Sequence, residues 1–98
     1  MNRKELTARL AARTGLSRAQ AADAVRALFD TIDSEGILPQ SLAAGERVVL
    51  SGFGTFSTRV VAPRQVTLPS GDVVDVPERR QVVFRPGQTL RRQLREGS

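Results

Sequence analysis

Apolar residues recur at helical spacing over the first third of the chain, and strand-like runs follow. In "NRKELTARLAARTG", Leu6 and Leu10 lie one turn apart, Asn2 can cap, Glu5 sits at the capping-box position and Gly15 closes the segment, which predicts a first helix. The pattern restarts in "LSRAQAADAVRALFDTIDSEG": Ser17 is a cap, Gln20 is at the third helical position, and Ala21, Val25, Leu28, Phe29 and Ile32 follow at helical spacing. A long amphipathic second helix is expected. With so short a connection the two form an αα-hairpin.

"GILPQSLAAGE" interrupts the periodicity with Gly36, Pro39 and Gly45 and is expected as an ordered loop. Three strand-like runs come next, "RVVLSGFGTFSTRVV", "RQVTL" and "DVVDVPERRQVVF", with "PSG" as a turn between the second and third. Pro63 and Pro77 place these runs at exposed edges, in a long hairpin that can stand away from the body. Inside "LSGFGTF", Gly52 and Gly54 flank Phe53 and predict a bend or a close backbone approach. "RPGQTLRRQLRE" predicts a short helix with Pro86 near its first turn, Leu90 and Leu94 as a narrow apolar stripe, and Arg91, Arg92 and Arg95 around the rest. The fold class is therefore α+β: a two-helix N-terminal hairpin, an antiparallel β-sheet extended into a β-ribbon arm, and a short C-terminal helix.

Ninety-eight residues with four Phe and neither Trp nor Tyr make a lean core, which a partner chain would complete. Fourteen of the 15 basic residues are Arg and the net charge is +5, a balance suited to phosphate or carboxylate groups on a polyanion. The charge is uneven: residues 1–18 carry +4, 19–56 carry −3, 57–81 carry +1 and 82–98 carry +3. Basic residues at both ends point to a shared anionic ligand.

Without Cys or His there is no disulfide, thiol nucleophile, imidazole base or usual zinc or haem ligand. The carboxylates are scattered, and no helix follows the Gly-Phe-Gly as a phosphate loop would require. No enzyme activity, catalytic residue, metal, cofactor or small-molecule substrate is expected. Helix two, long and apolar at core spacing, lacks the cluster of Asn, Gln and Arg that a helix-turn-helix reader presents. No apolar run approaches the roughly 20 residues that span a bilayer, and "MNRKELTARL" lacks the apolar core of a signal peptide. A soluble cytoplasmic protein with no membrane partner is expected.

"GLSRAQA", "LSGFGTF" and "VVFRPGQTLRRQL", in that order, resemble the HU and integration host factor family of bacterial DNA-binding proteins. The resemblance runs from "MNRKEL" to "RRQL", apart from about six extra residues near Ile37 to Ala44 and an altered arm tip. It implies a nucleoid-associated intertwined homodimer that binds double-stranded DNA and bends or compacts it. The helices form the body, and two β-arms embrace the minor groove. One domain would span residues 1–98, with a helical dimerisation part and loop at 1–45, sheet and arm at 46–84 and the last helix at 85–98.

By the same resemblance Arg3, Arg18 and Arg91 contact the DNA backbone, and the N-terminal dipole of helix two favours an anion beside Arg18. Gly52 and Gly54 would bend the strand where body becomes arm and bring backbone N–H groups close to phosphate, while Phe53 and Phe56 fill the core. Arg59, Arg64, Arg79 and Arg80 would follow the minor groove. The tip departs from the family's Arg-Asn-Pro-x-Thr-Gly: here it is "TLPSGD", one residue shorter, and Asp72 and Asp75 add negative charge. Pro69 matches the proline that wedges between base steps, with apolar Leu68 beside it; equally, proline at the first central position of a tight turn sets backbone shape with no DNA present. Two rival readings remain: a protein that coats or bridges DNA without bending it, and a protein–protein module on the same dimer fold.

Overall fold

The computed structural model describes residues 1–32 and 36–97. Their order is α1 (Arg3–Thr14), α2 (Arg18–Phe29), α3 (Ile37–Ala43), β1 (Val48–Leu50), β2 (Gly54–Val61), β3 (Arg64–Thr67), β4 (Val73–Val76), β5 (Arg79–Pro86) and α4 (Gln88–Glu96). The chain divides into two compact units, Met1–Ala44 and the remainder from Gly45. The first is helical, and the second holds every strand and α4.

In the helical unit the local signals act as expected. Asn2 Oδ1 accepts the Glu5 backbone N–H at 2.8 Å, and Gly15 ends α1 at φ 77° while donating to the Ala11 carbonyl at 3.0 Å. The Glu5 carboxylate takes Arg9 at 2.5 Å. The α2 box is reciprocal, with Gln20 N–H to Ser17 Oγ at 3.1 Å and Ser17 N–H to Gln20 Oε1 at 3.0 Å. Ala21 and Val25 are buried one turn apart, and Leu6, Val25 and Phe29 line a common crevice as α1 packs on α2.

Two expectations are corrected here. The second helix stops at Phe29 rather than running past Ile32, which is 86% exposed; residues 33–35 lie outside the described residues. Asp30 competes with the helix: its carboxylate accepts the Ile32 N–H at 3.1 Å and its carbonyl accepts the Gly36 N–H at 2.6 Å. The expected loop is a helix, α3, packed on α2. Pro39 falls at the third helical position, where the missing N–H has no intrahelical acceptor to serve, and Leu38 and Leu42 lie half-buried one turn apart. At Gly36 a Cβ would meet the backbone of Leu28, Phe29 and Asp30 at 2.6–2.7 Å, so the helix joint has room only for glycine.

The second unit contains a three-stranded antiparallel sheet, β1-β2-β5, and a two-stranded ribbon, β3-β4. "LSGFGTF" makes a full reversal rather than a bend between body and arm, and it lies at the end of β2 remote from the ribbon. The Phe53 N–H donates to the Leu50 carbonyl at 2.9 Å, and Leu50 pairs with Gly54. Gly52 takes φ 83° in this turn, where an L-residue is disfavoured by about 1–2 kcal/mol. Gly54 is a close approach: an added Cβ would lie 2.6 Å from both the Arg85 carbonyl oxygen and the Phe84 ring. Pro86, expected in the last helix, ends β5 opposite Gly54. Gly87 then caps α4 while donating to the Phe53 carbonyl at 2.8 Å.

Both long runs break at proline. Val61 pairs with Arg79 and Arg64 with Val76, so Ala62–Pro63 and Pro77–Glu78 face each other outside either ladder. At the ribbon tip the Gly71 N–H donates to the Leu68 carbonyl at 2.9 Å and the Leu68 N–H to the Asp72 carbonyl at 2.8 Å. Pro69 is the first central residue of that turn, and Gly71 follows at φ 92°, as in a hairpin closed by a glycine bulge.

Phe53, Phe56 and Phe84 cluster, with ring centroids 4.7–6.4 Å apart, yet Phe53 and Phe84 remain 48% and 40% exposed. Among the described residues the buried hydrophobic core of a single chain is only Ala21 and Val25.

Gly52→Ala is expected to lower stability by about 1–2 kcal/mol through φ strain. Gly54→Ala should cost more, about 2–3 kcal/mol, because its Cβ overpacks fixed backbone. Paired urea unfolding curves check the order of the two.

Candidate nucleic-acid interface

Alternation along the β2–β5 ladder sorts its side chains between two faces. One face carries Thr55, Ser57, Arg59 and Val61 opposite Arg85, Val83, Gln81 and Arg79. The other carries Gly54, Phe56, Thr58 and Val60 opposite Pro86, Phe84, Val82 and Arg80. The first face is thus polar and basic with no carboxylate, and the second is apolar apart from Arg80 and Thr58.

Of the four arginines expected along the arm, the structure brings Arg59 and Arg79 together and adds Arg85, which the sequence reading missed. The signal was present as Arg79, Gln81, Val83 and Arg85 at period two. Arg59 donates from Nε and Nη2 to Gln81 Oε1 at 3.4 and 3.2 Å. Arg80 points from the opposite face. Arg64 lies beyond the proline joint, on a ribbon face with Val66, Val74 and Val76, while Asp75 shares the other face with Gln65, Thr67 and Val73. Residues from both strands, Pro63, Arg64, Gln65, Asp75, Val76 and Pro77, line a hollow of about 710 Å³ at this joint.

The helical unit holds a second basic site. Arg3 opens α1 and Arg18 opens α2, and with Lys4, Thr7 and Ala8 they line one depression of about 440 Å³. The reciprocal cap at Ser17 fixes where α2 begins, and therefore where Arg18 stands. Arg91 is exposed on α4, with its Nε donating to the Pro86 carbonyl at 3.3 Å. Leu68 and Pro69 are exposed at the ribbon tip, where Ser70 Oγ donates to the Asp72 carboxylate at 3.2 Å. Gly52 is exposed in the β1–β2 turn. Among the described residues no group of three or more His, Cys, Asp or Glu could hold a metal ion, and no helix is long and apolar enough to cross a membrane.

The family model described as "Bacterial DNA-binding protein" matches residues 1–95. The chain belongs to this family. The family resemblance carried by the three sequence motifs is therefore correct. The SPbeta prophage-derived DNA-binding protein HU 2 of Bacillus subtilis (strain 168) is 36% identical over 92 residues, covering 93% of this chain and 94% of that protein. Integration host factor subunit alpha of Colwellia psychrerythraea (strain 34H / ATCC BAA-681) is 32% identical over 99 residues, covering 100% of this chain and 96% of the relative. Among solved structures, the Anabaena HU–DNA cocrystal structure superposes with a TM-score of 0.82 at 26% identity, over 98% of this chain and 99% of its own. Members of this bacterial DNA-binding family form dimers, which suits a chain with so little core of its own.

Ser17→Ala removes one half of the α2 box and is expected to lower stability by about 1 kcal/mol. Thermal unfolding followed by far-UV circular dichroism measures this.

Proposed function

We propose that this protein is an architectural, largely sequence-neutral DNA-binding homodimer of the bacterial nucleoid, acting on cytoplasmic double-stranded DNA as one domain built from residues 1–98. The observation that carries the reading is the carboxylate-free face with Arg59, Arg79 and Arg85. Guanidinium groups present planar forks that match phosphate oxygens, and phosphate contacts position a protein without reading sequence. The HU relative solved as a cocrystal with DNA supports the same ligand.

Other basic sites offer further phosphate contacts. Arg3 and Arg18 share a depression suited to backbone phosphate, Arg91 offers another contact, and the exposed N–H side of the Gly52 turn can approach the backbone. On the arm, Arg64 adds charge, and the exposed Leu68–Pro69 tip is the candidate wedge between base steps; Arg80, on the opposite face of β5, stands among the apolar residues instead. The apolar face of β2–β5, with Phe84, Val60 and Val82 exposed in a single chain, is where a second protomer gains most by packing.

A second reading, coating or bridging without bending, is favoured by the charge of the arm. Residues 62–78 contain Arg64 alone against Asp72, Asp75 and Glu78, so the arm is repelled by the phosphates that flank a groove. Energy transfer between dyes at the ends of a short duplex, with anisotropy reporting binding, separates the two. Ends drawn together by the wild type, and released in the Leu68→Ala/Pro69→Ala protein, support the wedge; binding at unchanged end separation supports coating.

If the three face arginines of both protomers touch phosphate, about six phosphates are neutralised and log affinity falls with log salt at a slope of roughly −5. Arg85→Gln is expected to flatten that slope by about 2. Fluorescence titrations at several salt concentrations give both values, and a slope near zero would remove the phosphate mechanism.

A further inference from the structure

The geometry points to Gln81 as a positioning residue that presents Arg59 to DNA phosphate, an inference that rests on the DNA-binding reading. Gln81 and Arg59 are direct partners in the β2–β5 register, so their side chains leave the same face side by side. One amide oxygen accepts from both Nε and Nη2 of Arg59, at 3.4 and 3.2 Å. These two nitrogens form the side edge of the guanidinium. The Nη1 hydrogens and the outer Nη2 hydrogen are left as an end-on fork, which fits two phosphate oxygens.

The chemistry of the acceptor matters. Arg9 on α1 and Arg26 on α2 are each held by a carboxylate, Glu5 and Asp23, and their charge is locally offset. Arg59 is held by a neutral amide and keeps its full charge for a polyanion. An exposed arginine otherwise loses much side-chain freedom when it binds, and a partner that fixes it beforehand reduces that loss.

The test compares wild type, Gln81→Met, Gln81→Glu, Arg59→Gln and the Gln81→Met/Arg59→Gln double variant on a 20-base-pair duplex across a salt series. Gln81→Met is expected to weaken binding about three- to tenfold with an unchanged salt slope, because no charge is removed. In the Arg59→Gln background the same substitution should have no further effect, and Gln81→Glu should flatten the slope. Without DNA, the Arg59 Nε–H NMR signal should be resolved in the wild type and averaged in Gln81→Met. Equal losses in both backgrounds, unchanged affinity in Gln81→Met, or an Arg59 signal indifferent to the substitution would overturn the positioning role. If the wild type binds no duplex at low salt, the DNA-binding reading itself fails, and this inference fails with it.

Discussion

Gly54 has no room for a side chain: the Arg85 carbonyl and the Phe84 ring lie where a Cβ would stand, and this contact helps lock the ladder between β2 and β5 in register. Everything on the strand unit that bears on function is read from that register. A slip of one residue between them would put Arg59 and Arg79 on opposite faces of the sheet and break up the basic side. The tight turn at Gly52 starts β2 in phase, and the Gly87 N–H, bonded to the Phe53 carbonyl, ties the start of α4 to the same turn. The pairing of β2 with β5, made by backbone that touches no ligand, thus decides which side of the sheet is basic.

The opposite side explains why such a chain works in pairs. Three phenylalanines in ring contact would anchor a core in a larger domain, yet two of them stay about half exposed here, and buried apolar residues are scarce. A small chain has too much surface for its volume to finish a core alone. A partner that covers apolar surface of this kind supplies burial that one chain lacks.

Features set by neighbours in sequence were the legible ones. Asn2, Gly15, Ser17 with Gln20, and the Pro-then-Gly tip act within four residues of themselves, and their signals survived in the structure. Where the reading failed, a contact across the fold or a competing side chain had intervened. Helical periodicity carried through Ile32, but the Asp30 carboxylate captures a backbone N–H, and the fit of Gly36 against α2 turns the chain into a helix from a segment that looked like loop. The candidate site was legible by residue type but not by side. Arg79 and Arg80 are adjacent letters with opposite directions, and only the phase of β5, set after the break at Pro77, separates them and brings in Arg85. That Arg3 and Arg18 share one depression depends on how α1 packs on α2, which neither helix states by itself.

The facing prolines at the base of the ribbon have a consequence for how such a chain can change over generations. In a continuous ladder, inserting or deleting one residue in the arm would be transmitted strand by strand into the sheet and would invert its faces. Here two unpaired residues on each side absorb the shift, so the arm can be shortened, lengthened or recharged while β2 and β5 keep their pairing. The acidic tip, with Asp72 and Asp75, is the kind of sequence this insulation permits: the ribbon behaves as an interchangeable part, which can be altered without re-solving the body.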